Sequence, residues 1–67
     1  MSIAKIIEIS SESTDSFDDA VSTGIQRASK TVQNIQGAWV KDMQAKVEDG
    51  KVTAFRVDMK VTFVLDN

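Results

Sequence analysis

One stretch near the end of this chain alternates regularly between apolar and polar side chains. Its apolar positions are Phe55, Val57, Met59, Val61, Phe63 and Leu65, and the positions between them are Arg56, Asp58, Lys60, Thr62 and the apolar exception Val64. Because successive strand residues point to opposite faces, the pattern predicts one long strand with an apolar face and a polar face. A strand of this length has more surface than a 67-residue chain can cover, so we expect self-assembly.

The size of the chain also favours assembly. A domain this small buries only about 60% of the surface that its unfolded chain exposes, which leaves it marginally stable when alone. Small domains are stabilised by disulfides, by metals or by oligomerisation. The chain has no Cys and no His, which removes disulfides and the usual zinc ligands and leaves oligomerisation. The lack of cysteine also accords with a cytoplasmic location.

Charge and hydropathy exclude two classes of partner. The formal net charge of -2 comes from mixed signs, which argues against nucleic acid as the main partner. No segment approaches the roughly 20 apolar residues of a membrane span, and the N-terminus lacks the pattern of a signal peptide. We therefore predict a single domain over residues 1–67 that binds neither nucleic acid nor a membrane.

The pattern of apolar and turn-forming residues predicts the order β-α-β-β. The expected elements are a strand over Ile3–Ile9, a polar loop over Ser10–Ser16, a helix from Phe17 to about Asn34, a strand over Gln36–Val47, a hairpin turn over Glu48–Lys51 and the long final strand. This order predicts an α+β fold in which a three-stranded antiparallel sheet is wrapped around one long helix.

Four local features refine this prediction. Ser16 with Asp19 three residues later is a variant of the capping box and predicts the start of the helix. Gly24 in the apolar stripe of the helix is expected to allow close packing against the sheet. The apolar alternation changes phase near Lys41–Asp42, which indicates a β-bulge. Asp49–Gly50 is typical of a type I′ hairpin turn.

No set of residues in the sequence supports catalysis. His, Cys and Tyr are absent, and there is no nucleophile motif or phosphate-binding glycine loop. The carboxylates Asp18 and Asp19 suit the positive end of the helix dipole, and no spacing matches a calcium loop. We therefore predict a protein that is not an enzyme, without catalytic residues or metal ligands.

Two side chains have both a structural and a functional interpretation. Trp39, the only Trp, lies in the second predicted strand on the same face as Gly37. It is either an anchor in a core or interface, or a platform for a flat ligand. Arg56 on the polar face of the last strand is either a solvated or ion-paired surface residue, or a planar donor to a phosphate or heterocycle.

The chain resembles the dodecin family over nearly its whole length. The resemblance is carried by the opening strand Lys5–Ile9, the Ser-rich loop into Ser16–Phe17, the helix segment Ala28–Val32, the Asp49–Gly50 hairpin and the segment Met59–Phe63. It implies a β-α-β-β protomer, and twelve protomers that form a hollow shell. Family members typically bind riboflavin or other flavins in clefts between protomers, for storage or quenching, and some bind coenzyme A or metal ions.

The ligand residues that the resemblance implies are only partly present. The flavin-stacking Trp of the family aligns with Gly37, an acidic position aligns with Trp39, and a Gln that binds the ring edge aligns with Arg56. Two hypotheses follow. Either Trp39, in the space left by Gly37, stacks on riboflavin or FMN while Arg56 pairs with the phosphate, or the shell has lost flavin and holds ions, another anionic cofactor or nothing.

Overall fold

The computed structural model describes residues 3–65, so residues 1, 2, 66 and 67 of the predicted domain lie outside the described residues. Four elements make up the chain: β1 (Ile3–Ser13), α1 (Phe17–Ala28), β2 (Ile35–Glu48) and β3 (Lys51–Leu65). The strands form one antiparallel sheet in the order β1-β3-β2, with the long strand β3 at its centre. The predicted α+β class and the β-α-β-β order are confirmed.

The helix begins where the sequence predicts. Ser16 is its N-cap, and its hydroxyl oxygen accepts a hydrogen bond from the backbone N–H of Asp19 at 2.9 Å. The Asp19 carboxylate turns away from the cap and accepts a hydrogen bond of 2.6 Å from the hydroxyl of the buried Ser13. One carboxylate therefore links the end of β1 to the first turn of α1.

The predicted end of the helix near Asn34 is wrong, because α1 ends at Ala28. The Ser29 hydroxyl donates to the carbonyl of Ile25 at 2.8 Å, and the Thr31 hydroxyl donates to the carbonyl of Ala28 at 3.4 Å. Such side-chain bonds offer the backbone an alternative to continued helix. Asn34 has a φ of 64°, a left-handed conformation that directs the chain into β2.

The prediction for the first strand, Ile3–Ile9, is too short. β1 continues through the Ser-rich segment to Ser13, since Ser10 to Ser13 pair with Asp58 to Phe55 of β3. β3 begins at Lys51, the last residue of the predicted turn, so the long final strand follows the hairpin as the sequence predicts. Pairing with a long central strand therefore decides the conformation of the polar Ser10–Ser13 segment, whose composition alone favours a loop.

The predicted bulge and turn are both present. The register of β2 against β3 shifts between Val40 and Asp42, so Lys41 is the extra residue. The shift places Val40, opposite Met59, and Met43, opposite Val57, on the same side of the sheet. At the hairpin, Asp49 and Gly50 have φ values of 52° and 75°, as a type I′ turn requires.

The core lies between α1 and the central strand. Its buried members are Ala20, Val57, Met59 and Val61, with Ile7, Ile9, Phe17, Val21, Ile25 and Ile35 packed around them. Gly24 makes the close approach that the sequence predicts. A Cβ atom at this position would lie 2.8 Å from the Cβ atom of Ser11 and 3.1 Å from the methyl carbon of Met59.

Candidate ligand site on the open face of the sheet

The sheet has one face covered by α1 and one face without a helix, which we call the open face. The odd-numbered residues Val57, Met59 and Val61 of β3 are buried beneath α1. The even-numbered residues of β3 point to the open face: Arg56, Asp58, Lys60 and Thr62, all partly exposed. The open face is therefore the polar face that the alternation of β3 predicts.

Gly37 and Trp39 lie together on the open face. Gly37 pairs with Thr62, and Trp39 pairs with Lys60, so both positions share the face of the polar β3 residues. Trp39 is 64% exposed. A Cβ atom at Gly37 would meet only the Thr62 hydroxyl oxygen, at 3.7 Å. The structure thus places a large, exposed aromatic ring beside an unfilled position, as the stacking hypothesis requires.

Arg56 is not brought next to Trp39. It lies opposite Gln44, four residues along β3 from Lys60, which corresponds to roughly 13 Å along the strand. Its guanidinium is also engaged within the chain. Nε lies 3.5 Å from the Asp58 carboxylate, and Nη2 donates to the Ser10 hydroxyl at 3.4 Å. Within one protomer, Arg56 and Trp39 therefore belong to separate parts of the open face.

The cation beside Trp39 is Lys60, a residue that the sequence interpretation did not select. Directly opposite residues in an antiparallel pair have Cβ atoms about 4.5–5.5 Å apart, so the side chains of Lys60 and Trp39 leave the sheet side by side. The alternation of β3 already placed Lys60 on the polar face. The register between β2 and β3, which decides its neighbour, is not contained in that alternation.

Carboxylates concentrate on the open face between these two parts. Asp58 lies directly opposite Asp42. The Ser10 hydroxyl donates to the Asp58 carboxylate at 2.6 Å, and this bond, with the nearby Arg56 and Lys41 charges, lowers the pKa of Asp58. Over residues 3–65, no group of three or more carboxylates is placed to hold a metal ion.

Two ion pairs cross the open face from β2 to β1. The Lys41 ammonium lies 3.4 Å from the Glu8 carboxylate, and the Lys46 ammonium lies 3.2 Å from the Glu12 carboxylate. Each pair passes over β3, which lies between the two edge strands. The side chains in both pairs are 44–59% exposed, so each pair contributes only about 0–1 kcal/mol to stability.

A second surface is formed by apolar side chains of β2. Val40, Met43 and Val47 are 43–59% exposed, and Val52, which pairs with Val47, is 52% exposed. α1 packs against β1 and β3, so it leaves this surface uncovered.

The only helix described, α1, is too short and too polar to cross a membrane.

The fold and the open face define a class of small β-α-β-β proteins with a central long strand and one helix. The Dodecin family model matches residues 3–66. The chain belongs to the dodecin family, whose members are small-ligand-binding proteins and not enzymes. A search of curated proteins gives no match.

Three solved structures illustrate this relationship. The dodecin from Streptomyces davaonensis is 32% identical over 98% of this chain and 97% of that chain, with a TM-score of 0.93. The dodecin from Streptomyces coelicolor is 29% identical over 98% and 94% of the two chains, with a TM-score of 0.92. A dodecin from Mycobacterium tuberculosis, described as calcium-chelating with a novel calcium-binding site, is 29% identical over 96% and 91%, with a TM-score of 0.81.

Proposed function

We propose that this protein is a storage protein that assembles into a hollow homododecamer and sequesters a flavin, riboflavin or FMN. The proposal extends the small-ligand-binding character of the family to a particular ligand. A cytoplasmic location is part of it and is supported by the absence of cysteine.

The observation that carries the ligand proposal is the exposure of Trp39. Trp39, at 64% exposure, leaves apolar surface in water, and stacking a planar ring on its indole removes that surface. Gly37, two residues away on the same face, leaves room for the ring to lie flat on the sheet. Trp39 would thus replace the family's aromatic platform from the neighbouring position of the same strand.

The uncovered β2 surface supports the assembly. Val40, Met43, Val47 and Val52 form more exposed apolar area than scattered single side chains. β1 and β2 are also edge strands, whose free backbone groups favour pairing with another chain. Light scattering coupled to size-exclusion chromatography tests this step. A particle with the mass of twelve chains supports it, and a monomer at micromolar concentration contradicts it.

A fluorescence titration of riboflavin on the assembled protein tests the ligand. We expect saturable quenching of flavin fluorescence. Replacing Trp39 by Ala should weaken binding by about 1–3 kcal/mol, the contribution of one stacked ring. Trp39→Phe keeps an aromatic ring and should retain part of this binding free energy. Binding of equal strength in wild type and Trp39→Ala would show that Trp39 is not the platform.

The second candidate is a dodecin shell that has lost flavin binding. It is supported by Gly37 at the family's stacking position and by the engagement of Arg56 with Asp58 and Ser10. Such a shell would hold ions, another anionic cofactor or nothing. Absence of flavin quenching favours this candidate. A calorimetric titration with Ca²⁺ then tests whether the shell binds ions, because calcium is the ion named for the Mycobacterium tuberculosis relative.

A further inference from the structure

We propose that Lys60 is the residue that selects an anionic ligand at the Trp39 platform, so that this protein prefers FMN to riboflavin. This inference rests on the proposed function, since it concerns the ligand that stacks on Trp39. It assigns the phosphate-binding role to Lys60 in place of Arg56.

The first step is the placement of Lys60. It lies directly opposite Trp39 across the β2–β3 pair and is partly buried. Within residues 3–65, its ammonium group has no ion pair. A lysine at this distance packs its aliphatic stem along the indole and directs its ammonium group beyond the ring. A planar ligand on the indole would therefore meet three free N–H donors at its edge or on its side chain.

The second step is that the other cations of the open face are already paired. Glu8, the residue opposite Lys60 on β1, accepts from Lys41 at 3.4 Å. Lys46 pairs with Glu12 at 3.2 Å. Arg56 lies against Asp58. A phosphate at Lys60 gains a charge-assisted hydrogen bond without breaking any of these pairs.

The third step is the distribution of charge along β3. Between Lys60 and Arg56 on the open face, Asp58 lies opposite Asp42, and one row further Glu12 lies opposite Arg56. An anionic ligand there would face carboxylates, which oppose its binding. In the row of Lys60 the one carboxylate is that of Glu8, which is paired with Lys41, and the next row away from Arg56 holds Thr62 and Gly37, which are uncharged. An anion that extends from Lys60 toward Thr62 therefore lies away from the Asp58 and Asp42 carboxylates.

The experiment compares FMN with riboflavin on the assembled wild-type protein and on two variants, Lys60→Gln and Arg56→Gln. We expect wild type to bind FMN about tenfold more tightly than riboflavin, the ratio that one exposed charge-assisted hydrogen bond supplies. Lys60→Gln should abolish this ratio, because it weakens FMN binding more than riboflavin binding. Arg56→Gln should retain it. The ratio should also fall as salt is raised from 0.05 to about 0.5 M, because exposed charges are screened.

Two outcomes overturn the inference while flavin storage stands. The first is equal binding of FMN and riboflavin by wild type. The second is a preference for FMN that survives Lys60→Gln and disappears in Arg56→Gln. Circular dichroism and the assembled mass of each variant serve as the control for folding, and Lys60→Arg, which keeps the charge, should restore the preference.

If neither flavin binds, the proposed function fails, and a second pair of probes decides the inference. The intrinsic fluorescence of Trp39, the sole Trp, is followed on addition of adenosine and of AMP, which differ by one phosphate. Quenching by AMP that is reduced in Lys60→Gln supports the anion site at Lys60. Equal quenching by the two compounds, or none by either, overturns it.

Discussion

The two faces of the central strand β3 have separate roles. On the covered face, Val57, Met59 and Val61 are at most 1% exposed and pack beneath α1. On the open face, the residues between them are partly exposed, and most of them carry charge. The covered face holds the hydrophobic energy that stabilises the fold, since buried area dominates stability. The open face contributes little to stability, so its residues can change with the ligand while the fold is retained.

The largest expected effect on stability comes from truncating a methionine that α1 covers, compared with one that it leaves uncovered on the same side of the sheet. Met59→Ala empties a buried site and should lower the free energy of unfolding by about 2–5 kcal/mol. Met43→Ala is the matched control, because Met43 is 58% exposed and should cost the protomer less than about 0.5 kcal/mol. Urea unfolding at several protein concentrations measures both. A loss at Met43 that depends on concentration would place this side chain between copies, and equal losses independent of concentration would contradict the comparison.

A smaller effect on stability is expected from adding one methyl group to a glycine, first in α1 and then on the open face of the sheet. Gly24→Ala places a Cβ atom 2.8 Å from Ser11 Cβ, an overpacking that costs roughly 1–3 kcal/mol and outweighs a gain of about 1 kcal/mol in helix propensity.

Gly37→Ala is the control on the open face, because its nearest neighbour would lie at 3.7 Å. We expect no loss of stability for it in thermal unfolding. A Gly24→Ala variant as stable as wild type would show that α1 can move away from β1.

The helix cap provides the third test. Ser16→Ala removes the acceptor for the Asp19 N–H and should cost about 1 kcal/mol. Ser22→Ala, at an exposed position within α1, should cost nothing, since Ala favours helix more than Ser does. Chemical denaturation of the two variants measures the difference. Equal stabilities would show that the start of α1 is held by packing alone.

The smallest effect concerns a carboxylate on the open face. The pKa of Asp58 is held below its usual value of 3.8, first by the hydrogen bond from Ser10 and then by Arg56. A carboxylate with a lowered folded pKa adds stability that is present above the usual value and is lost as pH falls through the folded pKa. Ser10→Ala should therefore raise the pKa of Asp58 toward 3.8.

Carboxyl resonances followed by NMR between pH 2 and about 6 measure this shift. Ser10→Thr keeps the hydroxyl and should leave the pKa low. A pKa of Asp58 unchanged in Ser10→Ala would assign its lowering to Arg56.

Local patterns predicted those features whose cause is local. The alternation of β3, the cap at Ser16 and the Asp49–Gly50 turn each depend on residues close in sequence, and all three are confirmed. The bulge near Lys41 was visible because it changes the phase of apolar residues. Features decided by pairing between distant strands were missed, such as the extension of β1 to Ser13.

In the candidate site, too, local patterns predicted some features and strand pairing decided the others. The sequence placed Gly37 and Trp39 on one face, and the register confirms this. Arg56 and Lys60 are equivalent in the alternation of β3, and only the pairing of β2 with β3 sets Lys60 beside Trp39. The choice between two cations on one strand therefore required the register, which a pattern of period two does not contain.

The bulge at Lys41 also has a consequence for how the length of this protein can vary among related chains. The extra residue keeps Val40 and Met43 on the helix side of the sheet. A deletion of one residue between them would turn one end of β2 over, so that either its apolar residues or Trp39 would face the wrong side. We expect insertions and deletions in this region to be tolerated only at the Asp49–Gly50 hairpin. The spacing from Trp39 to that hairpin should thus be fixed among functional variants of this protein.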